Sequence, residues 1–325
     1  MATNVHKKII PRLDPPARES KFIYESNGLN IHCKSILGMR HTQEDTYSVD
    51  YLSHFSDLSF KDWTVIVKLA YDEMMQQRML LLPYDRSGCV CFDLIIFRGI
   101  CYAAYIGDCE GFHFRLKKDN QATYFHRLNR HLHNPNFDYD ELHALRDARV
   151  NLERSDCLRV NGIYEVSRHL GNFVREQSLD MRYDPEVEPP LTLKKLKTGE
   201  KHALILCSDG LTLPDHQFDY STAYSNLRQW VDSGAHFAEN LVEKAYAANS
   251  EDNITAVSVE LNESYFAHCQ TDQKALLLSV NDGHGGWKTS SLIQQIKAQA
   301  YANACRVVIA AQDDSFSTID YKKIA

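Results

Sequence analysis

No apolar run in this 325-residue chain is long enough to cross a bilayer: MLLL at 79–82 and ALLLSV at 275–280 fall far short of about 20 residues. A membrane partner is therefore not expected. Positive charge is not in excess either, with 36 Lys and Arg against 43 Asp and Glu and a net charge of −7. That balance argues against nucleic acid as a partner, because phosphate contacts need a basic surface. The nine cysteines include no CxxC pair, and their odd number and irregular spacing, with CVC at 89–91, read as reduced thiols rather than a disulfide framework or a metal cluster. No apolar leader follows the basic residues of MATNVHKKIIPRLDPP, so a cytoplasmic protein is expected, with export by a signal-independent route left open. Internal repeats, low-complexity tracts and linkers are all lacking. Residues 1–20, with Pro11, Pro15 and Pro16 among charges, are expected to form an extended arm, and residues 21–325 a single domain.

What is present is a chain with enough apolar content, 44%, to bury a substantial core. Asn27-Gly28 marks a hairpin between two short strands. The stretch from 59 to 82 lacks Gly and Pro until Pro83 and reads as a helix. CVCFDLIIF and GICYAAYIG, joined by Arg98-Gly99, read as a hairpin of buried strands. Residues 117–160 are polar and read as a surface excursion, with a helix predicted at DYDELHALRDARV. HALILCS, NITAVSVEL and KALLLSVN are further strands, with two helices at YSNLRQWVDSG and HFAENLVEKAYAANS. Leu292, Ile296, Ala300, Ala304 and Val308 form one apolar stripe of a last helix. Interleaved strands and helices of this kind predict one α+β domain with sheets at its centre.

Acids recur where these strands stop. Glu44 and Asp45 follow SILGMRHTQ, Asp108 follows CYAAYIG, Asp209 follows ALILCS, Asp252 precedes NITAVSV, and Asp282 follows ALLLSVN. A carboxylate beside a buried strand costs free energy unless it is paired or bound to a cation. Apart from Arg40, no basic residues stand at matching positions, so converging acids of this kind call for a divalent ion. Oxygen donors with few histidines suit Mg²⁺ or Mn²⁺ better than zinc.

These elements together resemble the metal-dependent serine/threonine protein phosphatases, the type 2C or PPM family. GMRHTQED is similar to its R-x-x-x-E-D element, SGCVCFDLIIFRGICYAAYIGDCE to its G-S-T-A strand, hairpin and G-D-S-R turn, and LRVNGIYEVSRHLGNF to R-V-x-G-x-L-A-V-S-R-A-L-G-D-F. HALILCSDGLTL, SEDNITAVSVEL and DGHGG complete the set, which spans about residues 30–310. The order departs from the family, where the D-G-H-G-G strand follows the E-D strand directly; here it comes last. The resemblance implies a central antiparallel β-sandwich flanked by helices, with permuted connectivity in which the last helix packs beside the helix at 59–82. Glu110 and Asn172 stand where the family has a base and an acid.

By the same resemblance, Asp282 would bridge two Mn²⁺ or Mg²⁺ ions. The Gly283 carbonyl, Asp209, Asp252, Glu44 and Asp45 would complete the shell, and Asp108 would serve a possible third ion. A hydroxide activated by the two ions would attack phosphorus. Arg40 would hold the phosphate, and His284, with a pKa near neutral, would give a proton to the leaving serine or threonine oxygen. The expected activity is metal-dependent hydrolysis of phosphoserine and phosphothreonine in a phosphorylated protein. A catalytically inactive binding or scaffold relative and a small-molecule phosphohydrolase stand as alternatives.

Overall fold

In the computed structural model, which describes residues 13–53, 55–154, 157–161, 163–171, 183–212, 220–271 and 273–313, Asn27 and Gly28 take positive φ values of 46° and 82°. That is the backbone a two-residue hairpin turn needs, and it folds β1 (Glu19–Ser26) back on β2 (Leu29–Ile36). Glu19 and Ser20 already pair with Ile36 and Ser35, so the strand begins inside the stretch expected to be an arm; residues 1–12 lie outside the described residues.

β3 (Thr46–Ser53) leads to α1 (Phe60–Leu81), capped by the Ser59 hydroxyl, which accepts from the Asp62 amide. Arg98 and Gly99, at φ 50° and 77°, join β4 (Gly88–Phe97) to β5 (Ile100–Ile106) as the sequence predicts. The polar excursion also holds a hairpin arm that its composition hides: β6 (Glu110–Leu116) pairs with β7 (Ala122–Arg127) before α2 (Tyr139–Asp147). The short strands β8 (Leu152–Arg154), β9 (Leu158–Val160), β10 (Leu170–Gly171), β11 (Glu186–Val187) and β12 (Leu191–Thr192) come next. After β13 (Lys201–Cys207) the chain runs through α3 (Asp209–Thr212), α4 (Tyr220–Asp232), α5 (Ala238–Ala247), β14 (Ile254–Asn262), α6 (Glu263–His268), β15 (Lys274–His284) and α7 (Lys288–Asp313).

Two antiparallel sheets result, in the orders β1-β2-β14-β13-β6-β7 and β11-β5-β4-β15-β3. Their facing sides bury Ile31, Val257 and Leu206 against Phe92, Leu94 and Leu278. On the outer side of the second sheet α1 and α7 pack together, with the Trp63 ring stacked on Tyr301 at 5.9 Å between centroids. On the outer side of the first sheet lie α4 and α5, through Leu227, Val231, Leu241 and Val242. The fold is the expected helix-flanked α+β sandwich. Among the described residues no helix is long and apolar enough to cross a membrane.

The register gathers the chemistry-bearing strand ends on one lip. Ile254 faces Ile36, Cys207 faces both Ala256 and Glu110, Asn281 faces Thr46, and Asp282 faces Val90. β15, near the end of the chain, thus lies between β3 and β4 and antiparallel to both. A polar cluster locks it there: Lys297 of α7, 0% exposed, donates to Asp93 of β4 at 2.5 Å and to Ser279 and Asn281 of β15 at 2.6 Å. Tyr71 and Tyr301 donate to the other Asp93 oxygen at 3.0 and 2.9 Å, which leaves this buried carboxylate fully engaged.

Candidate metal centre

A cavity of about 410 Å³ opens at this lip, lined by Arg40, Glu44, Asp108, Asp209, Asp252, Asp282, Gly283 and His284. The residues expected to bind metal or phosphate or to donate the proton therefore line one cavity, except that Asp45, 1% exposed, is buried and does not itself line it. Local packing explains how pieces so far apart in the chain meet. A Cβ on Gly283 would run into the Glu44 carbonyl, and one on Gly210 into the Asn253 carbonyl, with Asp252 Cβ at 3.3 Å. Glycine at both positions lets the acid-bearing segments approach backbone to backbone. Asn253 stitches the remaining loop: its Nδ2 donates to the carbonyls of Leu37 at 2.8 Å and Thr42 at 3.2 Å, and its Oδ1 accepts the Glu44 amide at 2.9 Å.

The acids repel one another. Burial, then Asp252, push the Asp45 carboxyl up to about 7, against the opposing pull of the Asp282, Ser208 and Thr255 side chains beside it. Asp108 is also raised to about 7, by burial first, against the Asn134 amide that donates to it at 3.1 Å. Burial, followed by the charges of neighbouring acids, holds Asp209 and Asp282 well above the usual carboxylate range. Arg40 is the local counter-charge. Burial works against its guanidinium, but Asp252, bonded to it at 2.5 Å, and the nearby Asp209 and Asp282 outweigh that and raise it.

His284 differs from expectation. Burial pushes its imidazole down to about 4 rather than leaving it near neutral, so at neutral pH the ring is uncharged. Its Nε2 lies 3.1 Å from Nδ1 of His169, which stands in LRVNGIYEVSRHLGNF at the alanine of the family's S-R-A-L-G, a position to which the sequence assigns no role. Asn253 was likewise read only as the start of a strand, although its place beside Asp252 is the signal that could have found it. Glu110 does not alter the cavity: it is fully buried, bonded to Arg127 at 2.9 Å and Tyr224 at 2.6 Å. Asn172 lies outside the described residues.

Among the described residues, the group whose possible ligand atoms all lie within 4.8 Å of one another is a different one, His131, Asp138 and Asp140. The Asp138 carboxylate there is already used as the cap of α2. It accepts the amides of Asp140 at 3.0 Å, and of Glu141 and Leu132 at 3.1 Å, and it meets His131 Nδ1 at 3.1 Å. That group is a helix start rather than a second centre.

The lip cavity suits a hard divalent cation: five carboxylates, of Glu44, Asp108, Asp209, Asp252 and Asp282, line it, and Gly283 lets the backbone pass close to the Glu44 carbonyl. The fold and site together define a helix-flanked β-sandwich protein with an acidic cavity at one edge of its sheets. A sequence profile of the family described as "Protein phosphatase 2C" matches residues 48–254, a span that includes Asp108, Asp209 and Asp252 but neither Glu44, Asp45 nor Asp282. Human protein phosphatase 1F is 31% identical over 131 residues, 40% of this chain and 25% of the relative; the rat protein of that name is 32% identical over 110 residues, 33% of this chain and 23% of the relative. The chain thus spans about a quarter of the length of the curated relatives it matches. Among solved structures, a phosphatase from Toxoplasma gondii shares the fold with a TM-score of 0.52 at 16% identity, over 75% of this chain and 96% of that one. A sex determining protein from C. elegans does so at 0.51 and 19%, over 74% and 67%. This chain belongs to the protein phosphatase 2C family.

Proposed function

We propose that this chain is a divalent-cation-dependent phosphatase of phosphoserine and phosphothreonine in proteins. Asp282, the Gly283 carbonyl, Asp209, Asp252, Glu44 and Asp45 would hold two Mn²⁺ or Mg²⁺ ions, and Asp108 a third, weaker one. The observation that carries this reading is the convergence of Glu44, Asp108, Asp209, Asp252 and Asp282 on one cavity, with buried Asp45 beside them, acids whose mutual repulsion protons or cations relieve. Two such ions, when bound, supply a water of lowered pKa and offset charge on the phosphoryl oxygens.

The chain's own groups do the rest. Arg40, exposed at the rim, keeps guanidinium N–H groups beyond its bond to Asp252 and presents them to two phosphate oxygens. His284, uncharged at neutral pH, serves the leaving serine or threonine oxygen as a hydrogen-bond donor rather than as a cationic acid. Ile163, Tyr164 and Val166 give the cavity one less polar wall. We further read the connectivity as a rearrangement of the family order, supported by the seat of β15 between β3 and β4 and by α7 packed beside α1.

The test is phosphate release by the full chain from a phosphothreonine peptide, a phosphotyrosine peptide and a small phosphate monoester, each with Mn²⁺, Mg²⁺ or EDTA. Turnover of the phosphothreonine peptide that requires the cation is expected. Cation-independent turnover contradicts the reading, turnover confined to the small ester favours a small-molecule phosphohydrolase, and binding without turnover favours a scaffold.

A further inference from the structure

His169 has no part in the chemistry above, yet it is 1% exposed and lies against His284. The sheet puts it there. β10 and β15 pair with the same two residues of β4 from opposite sides: Gly171 and His284 both face Gly88, and Leu170 and Gly283 both face Cys89. Gly88 has no side chain to stand between the two rings, whose centroids are 4.9 Å apart. Tyr164 packs edge-on against both, at 5.1 Å from His169 and 6.1 Å from His284.

An N···N contact of 3.1 Å between imidazoles holds one proton, so one ring donates and the other accepts. The far side of His169 decides which. Its Nε2 is buried and has no hydrogen-bond partner among the described residues. A buried N–H without an acceptor is less readily tolerated than a bare lone pair. Nε2 is therefore the bare nitrogen, and the ring proton of His169 sits on Nδ1, from which it donates to Nε2 of His284. With Nε2 accepting, the proton of the His284 ring is on Nδ1.

We propose that His169 is a positioning residue that fixes His284 as the Nδ1–H tautomer, so that the ring nitrogen left for substrate is a hydrogen-bond donor. The pair makes and breaks no covalent bond; it orients one N–H. The use of that N–H on the leaving oxygen rests on the phosphatase reading above, whereas the tautomer does not.

Long-range ¹H–¹⁵N spectra of the full chain, labelled with ¹⁵N-histidine and recorded in Mg²⁺, read the tautomer directly. His284 is expected as Nδ1–H in the wild type, to shift toward the Nε2–H form favoured by free imidazole in His169→Phe, and to stay Nδ1–H in His169→Asn, whose amide N–H replaces the donor. In turnover, His169→Phe is expected to lower kcat on a phosphothreonine peptide by on the order of 10- to 100-fold, the usual effect of losing a residue that orients an active group. KM should hardly change, an aryl phosphate whose leaving group needs no donor should be spared, and His169→Asn should recover most of the rate. An Nε2–H form of His284 in the wild type, a tautomer unmoved by His169→Phe, or equal loss on both substrates overturns the proposal. A wild type that turns over neither substrate defeats the phosphatase reading instead, and the spectra still decide the tautomer.

Discussion

Asp45 is buried beside the acids of the cavity and shares their electrostatics. Its carboxyl is raised to about 7 by burial first and Asp252 second, and that of Asp108 to about 7 by burial, against the Asn134 hydrogen bond that lowers it. A carboxyl raised above its unfolded value of about 4 contributes stability that is complete below that value and is lost as pH rises through about 7. Buried histidines run the other way. His113 and His284 are pushed down to about 3 and about 4, so their contribution is complete above about 6.5 and is lost as pH falls below it. Between about pH 6.5 and 8 only the acids of this set titrate. The urea midpoint of the EDTA-treated protein should therefore fall over that interval, and fall less with Mg²⁺ present; a midpoint that rises with pH in EDTA contradicts the assignment.

Arg40 gives a kinetic prediction at the same scale. Charge-assisted hydrogen bonds contribute roughly 1.5–3 kcal/mol, so Arg40→Ala should lower kcat/KM for a phosphopeptide by about 10- to 100-fold. Steady-state kinetics check this, and an unchanged kcat/KM leaves the phosphate to another group. The acids, Arg40 and His284 were legible in the sequence because they cluster at the ends of apolar runs, several beside a glycine: Gly107 before Asp108, Gly210 after Asp209 and Gly283 after Asp282. Asn253 and His169 were not, because their roles lie in bonds to residues some 115 to 216 positions away.

At the scale of elements, hairpin turns were legible where Asn27-Gly28 and Arg98-Gly99 force positive φ, and α1 was legible from its Ser59 start and the Pro83 stop. β7 was not, because ATYFHR is a largely exposed edge strand with little apolar pattern to read. The two-residue strands β10, β11 and β12 exist only through their pairing with β4 and β5, which no local signal specifies. The bond between α7 and the second sheet carries its own prediction. Removing Lys297 takes from buried Asp93 its ion-pair partner, so Lys297→Ala should lower the unfolding free energy by about 3–5 kcal/mol, measured by urea denaturation. A loss below about 1 kcal/mol, the worth of an exposed pair, contradicts a locking role. Gly283→Ala should weaken cation binding, because its methyl group would meet the Glu44 carbonyl and push the two acid-bearing segments apart. Calorimetric titration with Mg²⁺ checks it, and wild-type affinity in the variant contradicts it.

At the scale of the whole molecule, the chain order and the spatial order differ. β15 comes last among the strands yet sits inside its sheet, between β4 and the edge strand β3, and α7 completes a helical pair begun more than 200 residues earlier by α1. The sequence pointed to this arrangement only through the resemblance of its motifs; the pairing of Asn281 with Thr46 and of Asp282 with Val90 is what brings the last acid to the others. The central claim is that these separated segments build one divalent-cation centre. Mn²⁺ binding to the full chain, measured by calorimetry for the wild type and Asp282→Asn, tests it most directly. Two ions bound per chain in the wild type, with both weakened together in Asp282→Asn, is the predicted result; no binding in the wild type, or unchanged binding in the variant, would contradict it.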